Sequence, residues 1–144
     1  MSESSPPLSS QAQDFGWLLS KFARETTGVA DMIALSADGL LMGVAGDVDR
    51  ADGERLAAIV SGMASLAVSA GSGRGLGRLN KVIVDAEGGH LVIMAMGAGA
   101  LLAAVVQRTA SLATVSYEMA LFINSIDAIL TPGLIEELQN TLLS

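Results

Sequence analysis

The sequence predicts an α+β domain: a five-stranded antiparallel sheet flanked by helices in the order αββαβββα, with a short helix added at the C-terminus. Three observations carry this. Segments whose apolar residues recur with helical spacing alternate with short runs of aliphatic and β-branched residues. Within each group of runs the connections are a few residues long and rich in Asp-Gly and Gly-Gly, which suits hairpins and is too short for parallel crossovers. The whole chain has 144 residues, the length of one domain.

Residues 1–13, MSESSPPLSSQAQ, are serine, proline and polar groups with neither a basic start nor an apolar stretch. They read as a disordered arm and not as a signal peptide or anchor. Phe15, Leu18, Leu19 and Phe22 fall at i, i+3, i+4 and i+7 and Gly28 follows as a stop, so a helix is predicted over residues 10–27 and the compact domain over 14–130. "DMIALS" and "LLMGVA" flank Ala37-Asp38-Gly39 and form a hairpin. Asp47, Asp49 and Asp52 then lead into a helix over residues 50–70, where carboxylates satisfy open N–H groups and the positive end of the dipole. "KVIVDA", "HLVIMAMG" and "ALLAAVVQ" form a three-strand meander broken by Glu87-Gly88-Gly89 and Gly97-Ala98-Gly99. A third helix runs over about 110–130 on the stripe Leu112, Val115, Met119, Phe122, Ile123 and Ile126. Thr131-Pro132 ends it and opens a terminal helix within 131–144, carrying Leu134, Ile135, Leu138 and Leu142.

Composition narrows the function. A net charge of -7 opposes binding to nucleic acid or anionic lipid. The absence of cysteine excludes disulfides, thiolate zinc and thiol catalysis and fits the cytoplasm. Residues 91–106 are free of charge, but Gly97 and Gly99 divide them into two buried strands, so no membrane insertion is expected. Apolar residues make up 51% of the chain and charged residues only 16%, a lean charged surface that implies a protein partner.

Several stretches resemble chemistry without supplying it. "SAGSGRGLGRLN" follows a helix and precedes a strand, the reverse of the strand-loop-helix order of phosphate loops, and Leu76 stands where the dinucleotide pattern needs its third glycine. It reads as a helix cap and crossover. "DVDRADGE" places Ala51 and Asp52 where a calcium loop needs an oxygen ligand and a glycine, so it reads as a capping cluster. His90 is the only histidine, which excludes paired-histidine metal sites, and no GxSxG turn accompanies it; beside a Gly-Gly turn it reads as a solvent-facing structural residue. No catalytic residue, cofactor site or metal site is expected, and the chain is expected not to be an enzyme.

The second helix is the feature that calls for a partner. Between Arg55 and Arg74 lie eighteen residues without a charge. Leu56, Ile59, Val60, Met63, Leu66 and Ala67 share a face that is expected to pack on the sheet. Ala58, Ser61, Gly62, Ser65 and Ser69 form an opposite face of small residues, across which another helix can approach closely. Five strands make a sheet roughly 24 Å wide, and a helix about 10 Å across covers under half of one face. Three helices therefore leave one place empty, which a twofold-related copy of the second helix would fill. Asn80, Lys81 and Asp85 mark the third strand as an edge, open to pairing with its dimer mate. The expected dimer interface thus comprises Ala58, Ser61, Gly62, Ser65 and Ser69 with Lys81, Val82, Ile83 and Val84.

In element order, in the hairpin "GVADMIALSADGLLMG", in the glycine-punctuated meander and in the helix start "DRADGERLAAIVSGM", residues 13–130 resemble the Roadblock dynein light-chain family, most closely its bacterial MglB-type members. The resemblance implies a second helix on one face of the sheet with the first and third on the other, and dimerisation through the second helix and third strand. It also implies a scaffold that regulates a Ras-like small GTPase, in bacteria often beside a sensor kinase. On that footing Arg50, Glu54 and Arg55 are expected to contact the GTPase at the margin of the paired helices. Arg74 and Arg78 are the competing candidates, as arginines that could enter the GTPase site. The N-terminal arm, the long glycine-rich crossover and the terminal helix depart from the minimal family fold, so stimulation of GTP hydrolysis is not carried over. The alternative is a small-ligand sensor on a similar sheet, for which the apolar strands "LVIMAM" and "LLAAVV" provide few polar groups.

Overall fold

The computed structural model describes residues 9–143, with the side chains of residues 98, 142 and 143 excepted. Residues 1–8 of the expected arm and the side chain of Leu142 therefore lie outside the described residues. Helix α1 spans Ser10–Glu25, and the arm does not extend to residue 13: Ser9 is the N-cap, its hydroxyl accepting the Ala12 N–H, and Ala12 is already buried. Strands β1 (Val29–Ser36) and β2 (Leu41–Gly46) form the expected hairpin. Helix α2 (Arg50–Ser72) starts at its N-cap Asp49, whose side chain accepts the Asp52 N–H at 2.8 Å, and runs past residue 70 into the glycine-rich stretch. Strands β3 (Lys81–Ala86), β4 (Gly89–Met96) and β5 (Ala100–Gln107) form the meander. Helices α3 (Leu112–Ile126) and α4 (Pro132–Leu143) complete the chain.

All strand pairs are antiparallel and the order is β2-β1-β5-β4-β3, so β3 is an edge, as its sequence predicts. Alternation of side chains along each strand sends successive residues to opposite faces. Met32 and Ala34 of β1, Val92 and Met94 of β4, and Leu102 and Ala104 of β5 join α1, α3 and α4 in one core. Ile33 and Leu35, Ile93, and Leu101 and Ala103 meet α2 in the other. Among the described residues the second helix is thus alone on its face, and α1 and α3 share the opposite one, joined by the rings of Phe22 and Phe122 at 4.9 Å between centroids.

The terminal helix changes the helix count. Leu130, Leu134, Ile135 and Leu138 are buried in the α1–α3 core, and α4 packs against β2 and α1. The Ser9 backbone N–H and hydroxyl both donate to the Glu137 carboxylate at 2.8 Å and clasp the start of α1 to α4. The fourth helix therefore enters the crowded face, and the place beside α2 stays open.

Candidate interaction surfaces

Helix α2 meets the sheet through small residues. Gly53, Ala57, Val60, Ala64 and Gly71 are its buried positions. A side chain at Gly53 would place its Cβ 2.9 Å from Val44 Cγ1 and 3.0 Å from Leu41 Cδ2, so glycine here is required by close approach of helix and sheet. This corrects the expected inward face. Val60 is fully buried and Leu56, Met63 and Ala67 are half-buried, but Ile59 is 51% and Leu66 73% exposed. The physical reason is volume: the sheet already contributes Ile33, Leu35, Leu41, Ile93 and Leu101 to this layer, leaving space for alanine and glycine beneath the helix axis.

The outward face is consequently more apolar than its small residues suggest. Ala58, Gly62, Ser65 and Ser69 are exposed, and nothing lies within 4 Å of a Cβ built on Gly62. Ser61 differs: it is half-buried and its hydroxyl donates to the Ala37 carbonyl at 2.7 Å, tying α2 to the β1–β2 turn. Arg55, Ile59, Gly62, Leu66 and Ser69 fall at steps of four and three residues, the seam along which one helix receives another. Ile59 and Leu66 belong to this surface although the helical wheel places them on the face expected to pack on the sheet. Helix α2 is also long and apolar enough to cross a membrane by length and composition, but its buried stripe rests on the sheet.

Strand β3 borders the same surface. Val82 and Val84 are half-buried, Val82 packing with the α2-side core, while Lys81, Ile83 and Asp85 are exposed. Its pairing is with β4 alone among the described residues. Arg50, Glu54 and Arg55 all stand exposed on the first turns of α2; Arg50 Nε lies 3.0 Å from Glu54 and Arg55 3.4 Å from Asp52. Such exposed pairs contribute little to folding, so exchanging them for a partner's charges costs little.

The glycine-rich stretch caps α2 and turns the chain. The Gly71 carbonyl accepts N–H groups from Arg74 and Leu76, at 3.1 and 3.2 Å, while Gly75 and Gly77 adopt φ of +67° and +78°, conformations open to glycine. Arg74 and Arg78 are exposed on this loop; it follows the C-terminal end of α2, so no helix N-terminus points into it to hold a phosphate.

His90 departs from expectation. Its side chain is only 11% exposed, with Nε2 3.2 Å from Asp85 and 3.4 Å from Arg108, and its buried Nδ1 has no hydrogen-bond partner among the described residues. Arg108 also donates to the Asp85 carboxylate, and that hydrogen bond, followed by the guanidinium charge, holds the Asp85 carboxyl below the ordinary carboxylate range; the same nitrogen donates to the Ala86 carbonyl at 3.1 Å. The cluster fastens the end of the β3–β4 hairpin to the residue following β5.

A second surface lies across the sheet, where α3 covers β4 but leaves β3 open. A groove of about 990 Å³ runs between α3 and the β3 edge, floored by Ile83, Met94 and Met96, walled by Ala113, Ser116 and Ala120, with Arg78 and Lys81 at one end. Sequence reading missed it, although the signal was present: α3 holds a single charge, Glu118, and exposes Tyr117 and Leu121.

Residues 15–107 match the model of the Roadblock/LC7 domain, and this span includes both hairpins and all of α2. The chain belongs to the Roadblock/LC7 family. A Roadblock/LC7 domain from Streptomyces avermitilis is 33% identical over 79% of this chain and 95% of that one, with a TM-score of 0.74. Gliding protein MglB from Thermus thermophilus superposes with a TM-score of 0.75 at 19% identity, covering 90% of this chain and 97% of that one. Myxococcus xanthus MglB does so at 0.75 and 14% identity, over 81% and 94%. At these identities the MglB structures show a shared fold. No curated protein sequence matches the chain. The matched span ends with β5, so α3 and α4 lie beyond the family match.

Proposed function

We propose that this Roadblock protein is a non-enzymatic, dimeric, cytoplasmic scaffold that binds and regulates a Ras-like small GTPase in a bacterial signalling system. The observation that carries the reading is the outer face of α2: a seam that is free of charge from Ile59 to Ser69, with Ile59 and Leu66 exposed, beside the β3 sheet edge. Apolar surface of this kind, left open by the monomer, is stabilised by association. A twofold axis beside α2 pairs the two helices and brings β3 against β3 of the second copy, continuing the sheet. The family membership and the MglB-like fold support a GTPase as the further partner, docking over the paired helices with Arg50, Glu54 and Arg55 at the margin.

The test separates the two parts. Gly62→Arg puts a charge into the helix seam and is expected to yield a folded monomer on sizing chromatography with light scattering. A Gly62→Arg protein that remains a dimer removes the α2 interface. Arg55→Glu is expected to keep the dimer and weaken a cognate GTPase by about tenfold, mainly through association rate. Retention of normal GTPase affinity and salt dependence would remove Arg55 from that contact.

A further inference from the structure

The groove between α3 and β3 lies on the sheet face opposite α2, away from the α2 seam and the proposed GTPase contact, while its Lys81 and Ile83 stand on the β3 edge proposed to pair in the dimer. We propose that it is a second docking surface, which receives an amphipathic helix of a partner protein with carboxylates at the Arg78–Lys81 end. This goes beyond the function proposed above and does not depend on it.

Four observations bear on the occupant. The floor, Ile83, Met94 and Met96, is apolar, and Ile83 is 40% exposed although it sits in a strand. Methionine adapts its shape to an incoming side chain. The wall repeats small residues at Ala113, Ser116 and Ala120, with spacings of three and four, so a second helix can approach the α3 backbone. Ser116 is buried, and its hydroxyl has no hydrogen-bond partner among the described residues, leaving a polar group in the wall unsatisfied. The volume, about 990 Å³, holds roughly two turns of a helix about 10 Å across.

Size and openness favour a helix over a small molecule. The apolar surface continues from Tyr117, which lines the groove and is 63% exposed, onto the outer face of α3 at the exposed Leu121, outside the lining. A compact ligand held in the groove leaves Leu121 uncovered, whereas a helix laid along α3 covers both. Charge sets its polarity. Arg78 and Lys81 have no ion-pair partner among the described residues of a chain whose net charge is -7. The carboxylate at the same end, Asp127, already accepts the Gly97 N–H at 3.2 Å. The end therefore presents two cations against one engaged anion and selects an acidic segment.

The experiment uses the full chain and two labelled helical peptides of about five turns each. Both carry the same leucine and alanine face; one has glutamates on its polar face, the other lysines. Fluorescence anisotropy is expected to show binding of the acidic peptide and at least about tenfold weaker binding of the basic one. Ala120→Trp, at an exposed position, fills the groove and is expected to weaken the acidic peptide about tenfold or more without altering the melting temperature. Arg78→Glu with Lys81→Glu is expected to reverse the preference toward the lysine peptide, a gain that misfolding cannot produce. Gly62→Arg is expected to leave peptide binding intact, whatever it does to the dimer. Equal affinity for both peptides, no effect of Ala120→Trp, or loss of binding in Gly62→Arg each overturns the proposal. So does displacement of the peptide by stoichiometric dodecanoate, which would make the groove a site for small amphiphiles.

Discussion

Under α1, α3 and α4 the sheet meets large side chains, with Phe15, Leu19, Met119 and Ile126 fully buried between the layers. Under α2 the helix contributes Gly53, Ala57, Val60 and Ala64, and its larger Ile59 and Leu66 turn outward. The first face satisfies most of its apolar residues within one chain and stays open only at the groove between α3 and β3. The second leaves Ile59 and Leu66 exposed on the helix beside half-buried Val82 and Val84 of the edge strand, so its packing is completed by another molecule. The contrast separates a core, where volume is matched internally, from an interface waiting to be matched externally.

The largest effect tests that separation on the crowded face. Phe15→Ala empties a fully buried position and is expected to cost about 3–5 kcal/mol in denaturant unfolding, with no association needed to reveal it. A loss below about 1 kcal/mol would mean that the three-helix face is not the principal core. On the other face, Gly53→Ala must displace Val44 or Leu41 and is expected to cost about 1–3 kcal/mol, despite adding only a methyl group. If it stabilises the protein instead, as glycine replacement in an open helix does, α2 does not sit as close to the sheet as described.

Ile59→Ser with Leu66→Ser sharpens the comparison further. At low concentration, where the chain is monomeric, each change is expected to shift stability by no more than about 0.5 kcal/mol, as at other surface positions. At high concentration the double variant is expected to lose the concentration-dependent rise in melting temperature that dimerisation confers. A large loss in the dilute protein would reassign both residues to the core.

The smallest effect concerns the clasp of α1 to α4. The Ser9 N–H and hydroxyl bonds to Glu137 hold its carboxyl below the ordinary range for glutamate. With the folded value depressed, the clasp contributes above the unfolded value, about 4.3, and its contribution fades as pH falls through the lower folded value. In an acid titration followed by NMR, the Ser9 amide is expected to move with a midpoint below about 4.3. A midpoint at or above that value breaks the clasp.

By itself, the sequence determined the order of the elements, the antiparallel meander, the edge position of β3 and the inward stripes of α1 and α3. These are legible because each depends on local pattern: Phe15 and Leu19, or Val115, Met119 and Ile126, alternate with polar residues, and Asp-Gly and Gly-Gly force turns. Tertiary structure alone decided which way α2 faces, where α4 goes and what surrounds His90. Helix α2 is apolar around most of its circumference, so periodicity does not select a side; the bulk of Ile33, Leu35 and Leu101 does, by admitting Ala57 and Ala64 and turning Leu66 away. The α3–β3 groove and the His90–Asp85–Arg108 cluster join residues far apart in the chain, and their existence depends on strand order and the room one helix leaves on a sheet five strands wide.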